Sequence, residues 1–281
     1  MSPARTAALT VAAMLAFAAN SLLCRIALRD THIDAASFTA IRLASGALML
    51  WLVVRVRGGL VGPHGNWPSA LALFAYAAAF SYAYLTLPAA AGALLLFGAV
   101  QATMIGYGLW RGERLDVVQW AGLTLAGGGL VGLLLPGLAA PPAGGAALMI
   151  ASGIAWGVYS LRGRGAGNAT SVTAGNFIRA LPFAAVLGLA MLPRADLDAA
   201  GVAYAIASGA LASGLGYAIW YSALPGLRAT SAATVQLSVP VIAALGAAVF
   251  LDEAITLRLA LASAAVLGGI ALVIARRGVG K

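Results

Sequence analysis

Three kinds of side chain in this sequence have the chemistry to hold a small molecule: arginines set among apolar residues, side-chain amides, and closely spaced aromatic rings. Arg42 and Arg179 each lie a few residues inside an apolar stretch. A guanidinium there is costly unless it snorkels to an interface or meets a partner such as a substrate carboxylate. Asn20, Gln101, Asn176 and Gln236 fall near the middle of apolar stretches. Each amide needs a hydrogen-bond partner, supplied by a solute in a cavity or by a neighbouring helix. Trp156 and Tyr159 share a helix face at i,i+3, and Tyr217 and Tyr221 share one at i,i+4. With Tyr76 and Tyr82 they can wall a pocket for an apolar or aromatic group, or pack between helices. Tyr84 and Tyr221, close to the ends of their stretches, fit interfacial anchors better.

Catalytic patterns do not emerge. His32 and His64 stand alone without the carboxylate or thiol spacing of a metal site, so no metal is expected. The single Cys24 sits in an apolar run and can form no internal disulfide. Gly127, Gly129 and Gly132 formally satisfy G-x-G-x-x-G, but no strand precedes them and the segment reads as a lipid-length helix. There is neither a P-loop nor a nucleophile elbow, so the chain is expected to be neither an enzyme nor a cofactor carrier. All eight acidic residues lie near helix ends or in loops, where none can act as a midplane proton relay. Coupling to protons through Glu113 or Glu253 stays open, and facilitated diffusion becomes the simpler expectation.

The elements that must position these residues follow from composition. Of 281 residues 62% are hydrophobic and 9% charged, against roughly 25% charged in an ordinary soluble domain. A soluble fold of this length cannot bury so much apolar surface, so the solvent must be lipid. No charged residue occurs between Arg57 and Arg111, from Val117 to Leu161 or from Ala199 to Leu227. The first two gaps each hold two spans of about 20 residues. Ten spans are predicted, near 6–27, 35–54, 68–87, 89–110, 117–136, 143–161, 171–192, 199–222, 229–250 and 257–275. The first follows Arg5 and resembles a signal peptide, but its apolar pattern continues through Leu23. Pro63, Pro68, Pro88, Pro136, Pro141, Pro142, Pro193 and Pro225 fall at or between the spans, where a missing amide hydrogen does least harm.

The net charge of +9 would suggest nucleic acid in a soluble protein; here the basic residues cluster between spans and read as orientation signals. Arg5, Arg55, Arg57, Arg111, Arg114, Arg162, Arg164, Arg228, Arg276, Arg277 and Lys281 fall on the side of the amino terminus. Only Arg25, Arg29, Arg194 and Arg258 fall on the other. Both termini are therefore expected in the cytoplasm. Asn168-Ala-Thr170, a glycosylation triplet, would then face the side where glycosylation does not occur. The abundance of Ala, Gly and Arg over Lys points to a high-GC bacterium and its inner membrane. The loops are too short for a soluble domain, so recognition must occur within the bundle.

The two halves match weakly. Phe38-Thr-Ala-Ile-Arg42 answers Gly175-Asn-Phe-Ile-Arg179, Glu113 after the fourth span answers Glu253 after the ninth, and Gly128-Gly129 answers Gly268-Gly269. With five spans in each unit, residues 1–137 and 138–281, the second must enter the membrane from the opposite side. This is the inverted repeat by which many carriers build one site reachable from either face. Gly128 with Gly132, and Gly153 with Gly157, form small-xxx-small pairs suited to close helix approach.

Several motifs carry a resemblance: Trp156-Gly157-Val-Tyr159-Ser with a weaker counterpart at Ala18-Ala-Asn20-Ser21, Phe38-x3-Arg42 with Arg179, and Ala218-Ile-Trp220-Tyr221-x-Ala223-Leu224. To these are added Ser231-Ala-Ala-x3-Leu237-x2-Pro240 and Leu251-Asp-Glu253. In order and spacing the chain resembles EamA-type members of the drug/metabolite transporter superfamily over nearly its whole length. The resemblance implies an all-α membrane bundle around a central cavity, lined by the first four helices of each half, with spans five and ten peripheral. It also implies export of amino acids or other metabolites, in some members driven by the proton gradient; bacterial aromatic amino-acid exporters are the nearest in length and aromatic content. Asn20, Arg42, Tyr76, Tyr82, Gln101, Trp156, Tyr159, Arg179, Tyr217 and Gln236 are the expected substrate contacts. Gly128, Gly132, Pro240, Glu113 and Glu253 are the expected structural or gating residues. Span four departs from span nine in having Val100 where span nine has Pro240, which makes the halves mechanically unequal. Drug export, nucleotide or sugar transport, a membrane enzyme on lipid-linked substrates and an assembly subunit are the alternatives.

Overall fold

A computed structural model of the protein describes residues 2–59, 64–137, 140–163 and 167–277. Pro63, Arg164 and Lys281 fall outside these residues, as do the side chains of Arg276 and Arg277. Among the described residues the chain forms ten helical spans and no strand. They are α1 (Pro3–Asp30), α2 (Ala35–Val56), α3 (Trp67–Tyr84), α4 (Ala89–Trp110), α5 (Val117–Leu134), α6 (Ala143–Arg162) and α7 (Ala169–Met191). Then come α8 in three consecutive stretches (Ala199–Ile206, Ala207–Leu215, Gly216–Ala223), α9 in two (Ala229–Val235, Ser238–Phe250) and α10 (Leu257–Arg277).

Polar caps punctuate the apolar run. Ser2, Asp34, Asn66, Asp116, Asn168 and Asp198 each accept a backbone N–H in the first turn of α1, α2, α3, α5, α7 and α8. Each cap satisfies a donor that the helix itself leaves orphaned. At Asp116 the cap is reciprocal, because the Gln119 side chain returns a bond to the Asp116 amide. Asn168, read in the sequence as part of a glycosylation triplet, serves as such a cap through Ser171 N–H.

Nine of the helical segments are long and apolar enough to cross a membrane. The tenth, α3, has 18 residues, and its Ser, Tyr and Trp side chains lower its hydropathy. It buries Ser69, Leu73, Tyr76, Phe80, Ser81 and Tyr84 against protein rather than lipid. Most deeply set is α4, buried without a break from Ala89 to Gln101.

Packing repeats between the halves. α1 lies against α8 and α9, as α6 lies against α3 and α4; α2 meets α8 as α7 meets α3. α2 crosses α7, α4 meets α9, and α5 pairs with α10. Advancing every helix by five places turns this contact set into itself, so the two halves of the chain make matching helix contacts.

Thr6 lies beside Gly226, the Arg57 guanidinium donates to Ser222 at 3.3 Å, and Gln119 donates to the Val273 carbonyl at 3.1 Å. The start of α1 and the ends of α2 and α8 therefore share one end of the bundle, the terminal end, and the start of α5 meets the end of α10. At the far end the Asp34 amide donates to the Asp196 carbonyl, and the Asp196 amide to the Asp34 carboxylate, both at 3.1 Å.

The glycine expectation needs correction. A Cβ on Gly128 or Gly132 would meet nothing within 4 Å, so neither provides the close approach of a neighbouring helix. The close face of α5 is Gly122, Ala126 and Gly129; a Cβ on Gly122 would stand 2.6 Å from the Gly269 carbonyl oxygen of α10. Gly153 and Gly157 do face a neighbour, meeting Leu96, Ala99 and Thr103 of α4.

Candidate functional site: a central aromatic cavity

A cavity with about 450 Å³ of atom-free space, including its open part, lies between the two halves. α1 contributes Phe17, Asn20 and Ser21, α3 Tyr76 and Phe80, and α4 Leu96 and Phe97. The second half adds Trp156 from α6, Ala212, Ser213 and Tyr217 from α8, and Gln236 from α9. All four helices α1, α3, α6 and α8, related in pairs by the packing exchange, thus present side chains to one space.

Local structure explains why these side chains point inward. Residues Ala207–Leu215 of α8 form a π-helical stretch whose wider turns carry Ser208, Ala212 and Ser213 on the buried side. Gly209 and Gly214 within it lie against the backbone of Arg42 and Gly46 on α2, where a Cβ would collide. Insertions of this kind in membrane helices frequently coincide with functional sites. In α9 the helix breaks between Val235 and Ser238 because Pro240 has no amide hydrogen for the Gln236 carbonyl. Val239 N–H takes that carbonyl at 3.1 Å, and the Gln236 side chain donates to the Ala232 carbonyl at 3.2 Å. The break brings Gln236 to the cavity wall.

Six aromatic rings shape the space: Phe17, Tyr76, Phe80, Phe97, Trp156 and Tyr217. Trp156 is the keystone. Its ring stacks on Tyr217 at 5.3 Å with an 18° interplanar angle and meets Tyr76 at 4.8 Å. Tyr217 in turn packs on Phe17 at 5.6 Å. Such a wall accepts a flat or bulky apolar group and offers π faces to a cation.

One polar corner interrupts the rings. Asn20 Nδ2 donates to the Tyr76 hydroxyl oxygen at 3.3 Å, and Ser208 Oγ donates to Asn20 Oδ1 at 2.7 Å. Behind Tyr76, Arg42 donates from Nη2 to the same hydroxyl at 2.9 Å. No acidic residue lines the cavity, and among the described residues no group of His, Cys, Asp or Glu is placed to hold a metal.

Of the residues singled out from sequence, Asn20, Tyr76, Trp156, Tyr217 and Gln236 line the cavity. Arg42 stands one side chain behind it. Tyr159 is one ring behind Trp156 at 5.3 Å, its hydroxyl shared with Thr173 and Asn176 at 3.4 Å each. Gln101 is buried in α4 and Tyr82 half-buried in α3, but neither reaches the lining. Arg179 donates to the His64 and Gly175 carbonyls at 2.6 and 3.1 Å, anchoring the loop before α3. Glu113 lies exposed beyond α4, and Glu253 sits in the far-end turn beyond α9. Sequence reasoning missed Phe17, Phe80, Phe97 and Ser208. Phe17 and Phe80 were within reach, since they stand at i−3 from Asn20 and i+4 from Tyr76 on the same faces.

Comparison with known proteins agrees with this architecture. Residues 143–275 match the EamA-like transporter family. An uncharacterized protein of Pseudomonas aeruginosa is 62% identical over 278 residues, covering 99% of this chain and 97% of that protein. A solved structure described only as the crystal structure of a protein superposes with a TM-score of 0.68 at 22% identity, covering 97% of this chain and 98% of the other. At that identity the likeness is one of fold.

Proposed function

The chain belongs to the EamA-like transporter family, and from that premise we propose that it is a secondary carrier exporting amino acids with aromatic or large apolar side chains. Residues 1–137 and 138–281 act as two inverted units that alternately expose the central cavity, with both termini in the cytoplasm of a bacterium and the far end outside. The observation that carries the reading is the cavity itself: six aromatic rings with Asn20 and Gln236, drawn from both units. Rings supply contact area for a side chain of that size, and the amides supply the few placed polar groups that fix a solute's orientation. Export by facilitated diffusion is the simplest mode, because the cavity wall carries no carboxylate to bind and release a proton.

The test is efflux from liposomes loaded with labelled amino acids, with and without an imposed proton gradient. Saturable efflux of phenylalanine, tryptophan or leucine, lowered in Trp156→Ala, supports the reading. Insensitivity to the gradient supports facilitation. Failure to carry any amino acid in folded, oriented vesicles overturns the substrate class and directs the search to aromatic drugs and nucleosides.

A further inference from the structure

Arg42 is the one charged side chain among the described residues that is buried in the bundle, at 2% exposure. Its guanidinium lies over the Phe80 ring at 4.7 Å and the Tyr76 ring at 5.2 Å, two walls of the cavity. None of the ion pairs among the described residues includes it, and Nη1 has no hydrogen-bond partner. A guanidinium withdrawn from water without a counter-ion is held at a large cost in solvation, only part of which the π faces return. Its counterpart Arg179 differs in kind. Arg179 is spent on two backbone carbonyls, so a structural role accounts for it and leaves the charge of Arg42 unexplained.

The hydrogen bonds around Tyr76 indicate where that charge is felt. The phenolic oxygen accepts from Arg42 Nη2 and from Asn20 Nδ2, and Asn20 Oδ1 is taken by Ser208. With both lone pairs of the Tyr76 oxygen engaged, its own O–H is left to donate, and both Tyr76 and Asn20 line the cavity. A donor polarised by an adjacent buried cation is strengthened toward an anion, and an ammonium group at this corner would be repelled.

We propose that Tyr76, backed by Arg42 and fixed by Asn20, forms a carboxylate-recognising subsite, so that the transported solute must carry a free carboxylate. The bound carboxylate supplies, across the Tyr76 hydroxyl, the counter-charge that Arg42 lacks. An amino acid would place its carboxylate here and its side chain among the rings of Trp156 and Tyr217. The proposal rests on the cavity being the transport site, but its test is a binding measurement that does not require transport.

The experiment is ligand-induced thermal stabilisation of the purified full chain, using two pairs that differ only in the acid group: benzoate against benzamide, and phenylalanine against phenylalaninamide. The acid of at least one pair is expected to bind about tenfold more tightly than its amide. Tyr76→Phe, which keeps the ring beneath Arg42, and Arg42→Gln are each expected to reduce that preference to about twofold or less. Tyr76→Phe keeps the test valid if Arg42→Gln does not fold. Amide binding equal to acid binding in both pairs, failure of both acids to bind, or a full preference surviving in Tyr76→Phe overturns the subsite. Benzoate binding that depends on Tyr76, in a protein that carries no amino acid, would uphold the subsite while the amino-acid reading fails.

Discussion

The carboxylate of Glu253 accepts from the Nε of Arg25 at 3.0 Å, and its second oxygen accepts from the Ala89 amide at the start of α4 at 2.7 Å. Arg25 also donates to the Tyr84 carbonyl at 2.8 Å, and Arg29 donates to the Leu251 carbonyl at 2.8 Å. The far ends of α1, α3, α4 and α9 are thereby tied across the two halves.

Both partners of this ion pair are 13% exposed, so the pair is more than a surface contact. Glu253→Gln, which keeps an acceptor for Ala89 but loses the charge, is expected to cost about 1.5–3 kcal/mol in unfolding measurements. Glu253→Ala should cost more and should loosen the far end. Cys24, next to Arg25 and buried, offers a native reporter: it should resist maleimide in the parent protein and react faster in Glu253→Ala. Equal labelling in the two proteins would show that this contact does not hold the far end shut.

The α5–α10 pair gives a contrast between neighbouring glycines. Gly122→Ala forces a methyl against the Gly269 carbonyl, a backbone atom that cannot swing aside, and is expected to destabilise by about 1–3 kcal/mol. Gly128→Ala meets open space and should be neutral or gain about 0.5–1 kcal/mol from restricting the unfolded chain. Melting of the two variants in detergent checks the order; a larger loss at Gly128 would mean that α5 packs on a different face.

That contrast marks what could be read from sequence. Span number and order follow from hydropathy and charge gaps, whereas the capping roles of Asp116 and Asn168 emerge only in the structure. Helical phase is another matter. α5 is apolar all round, so nothing in Val117–Leu134 distinguishes the glycine face that meets α10 from the one that does not. The same limit separates Gln236, at the cavity, from Gln101, which is not: both are mid-span amides, and only packing decides which faces inward. Arg42 and Arg179 are equivalent by position, and their difference arises from the His64 carbonyl brought up by a loop. The π-helical stretch of α8 leaves no composition signal beyond its Gly and Ser residues. Pro240 was legible because the lack of an amide hydrogen acts locally whatever the tertiary context.

Stability should depend on pH through Asp34, which caps α2 outside the membrane span. Burial pushes its carboxyl up, but hydrogen bonds from Ser37, Asp196 and Ala36 outweigh this and hold it below the ordinary aspartate value. A carboxyl depressed on folding contributes stability that is fully present above its unfolded pKa and is lost as pH falls through the lower folded value. The parent protein should therefore exceed Asp34→Asn in melting temperature at neutral pH, with the gap closing only below about pH 4. A gap unchanged under acid would show that the charge of Asp34 contributes nothing and that its capping geometry alone matters.

The break in α9 and its absence in α4 can be interchanged. Pro240→Ala returns an amide hydrogen to the Gln236 carbonyl, so Ala229–Phe250 can close into one helix that withdraws Gln236 from the cavity wall. Removing an interior proline favours the helix by up to about 3 kcal/mol, so the variant should melt no lower than the parent while its efflux rate falls. Val100→Pro is the reciprocal change. It places a proline in the buried, unbroken stretch of α4, removing a helix hydrogen bond, and should cost about 3 kcal/mol or more. If Pro240→Ala transports at the parental rate with an unbroken α9, the bent helix is a packing feature, and Gln236 is not needed at the wall for passage of the solute.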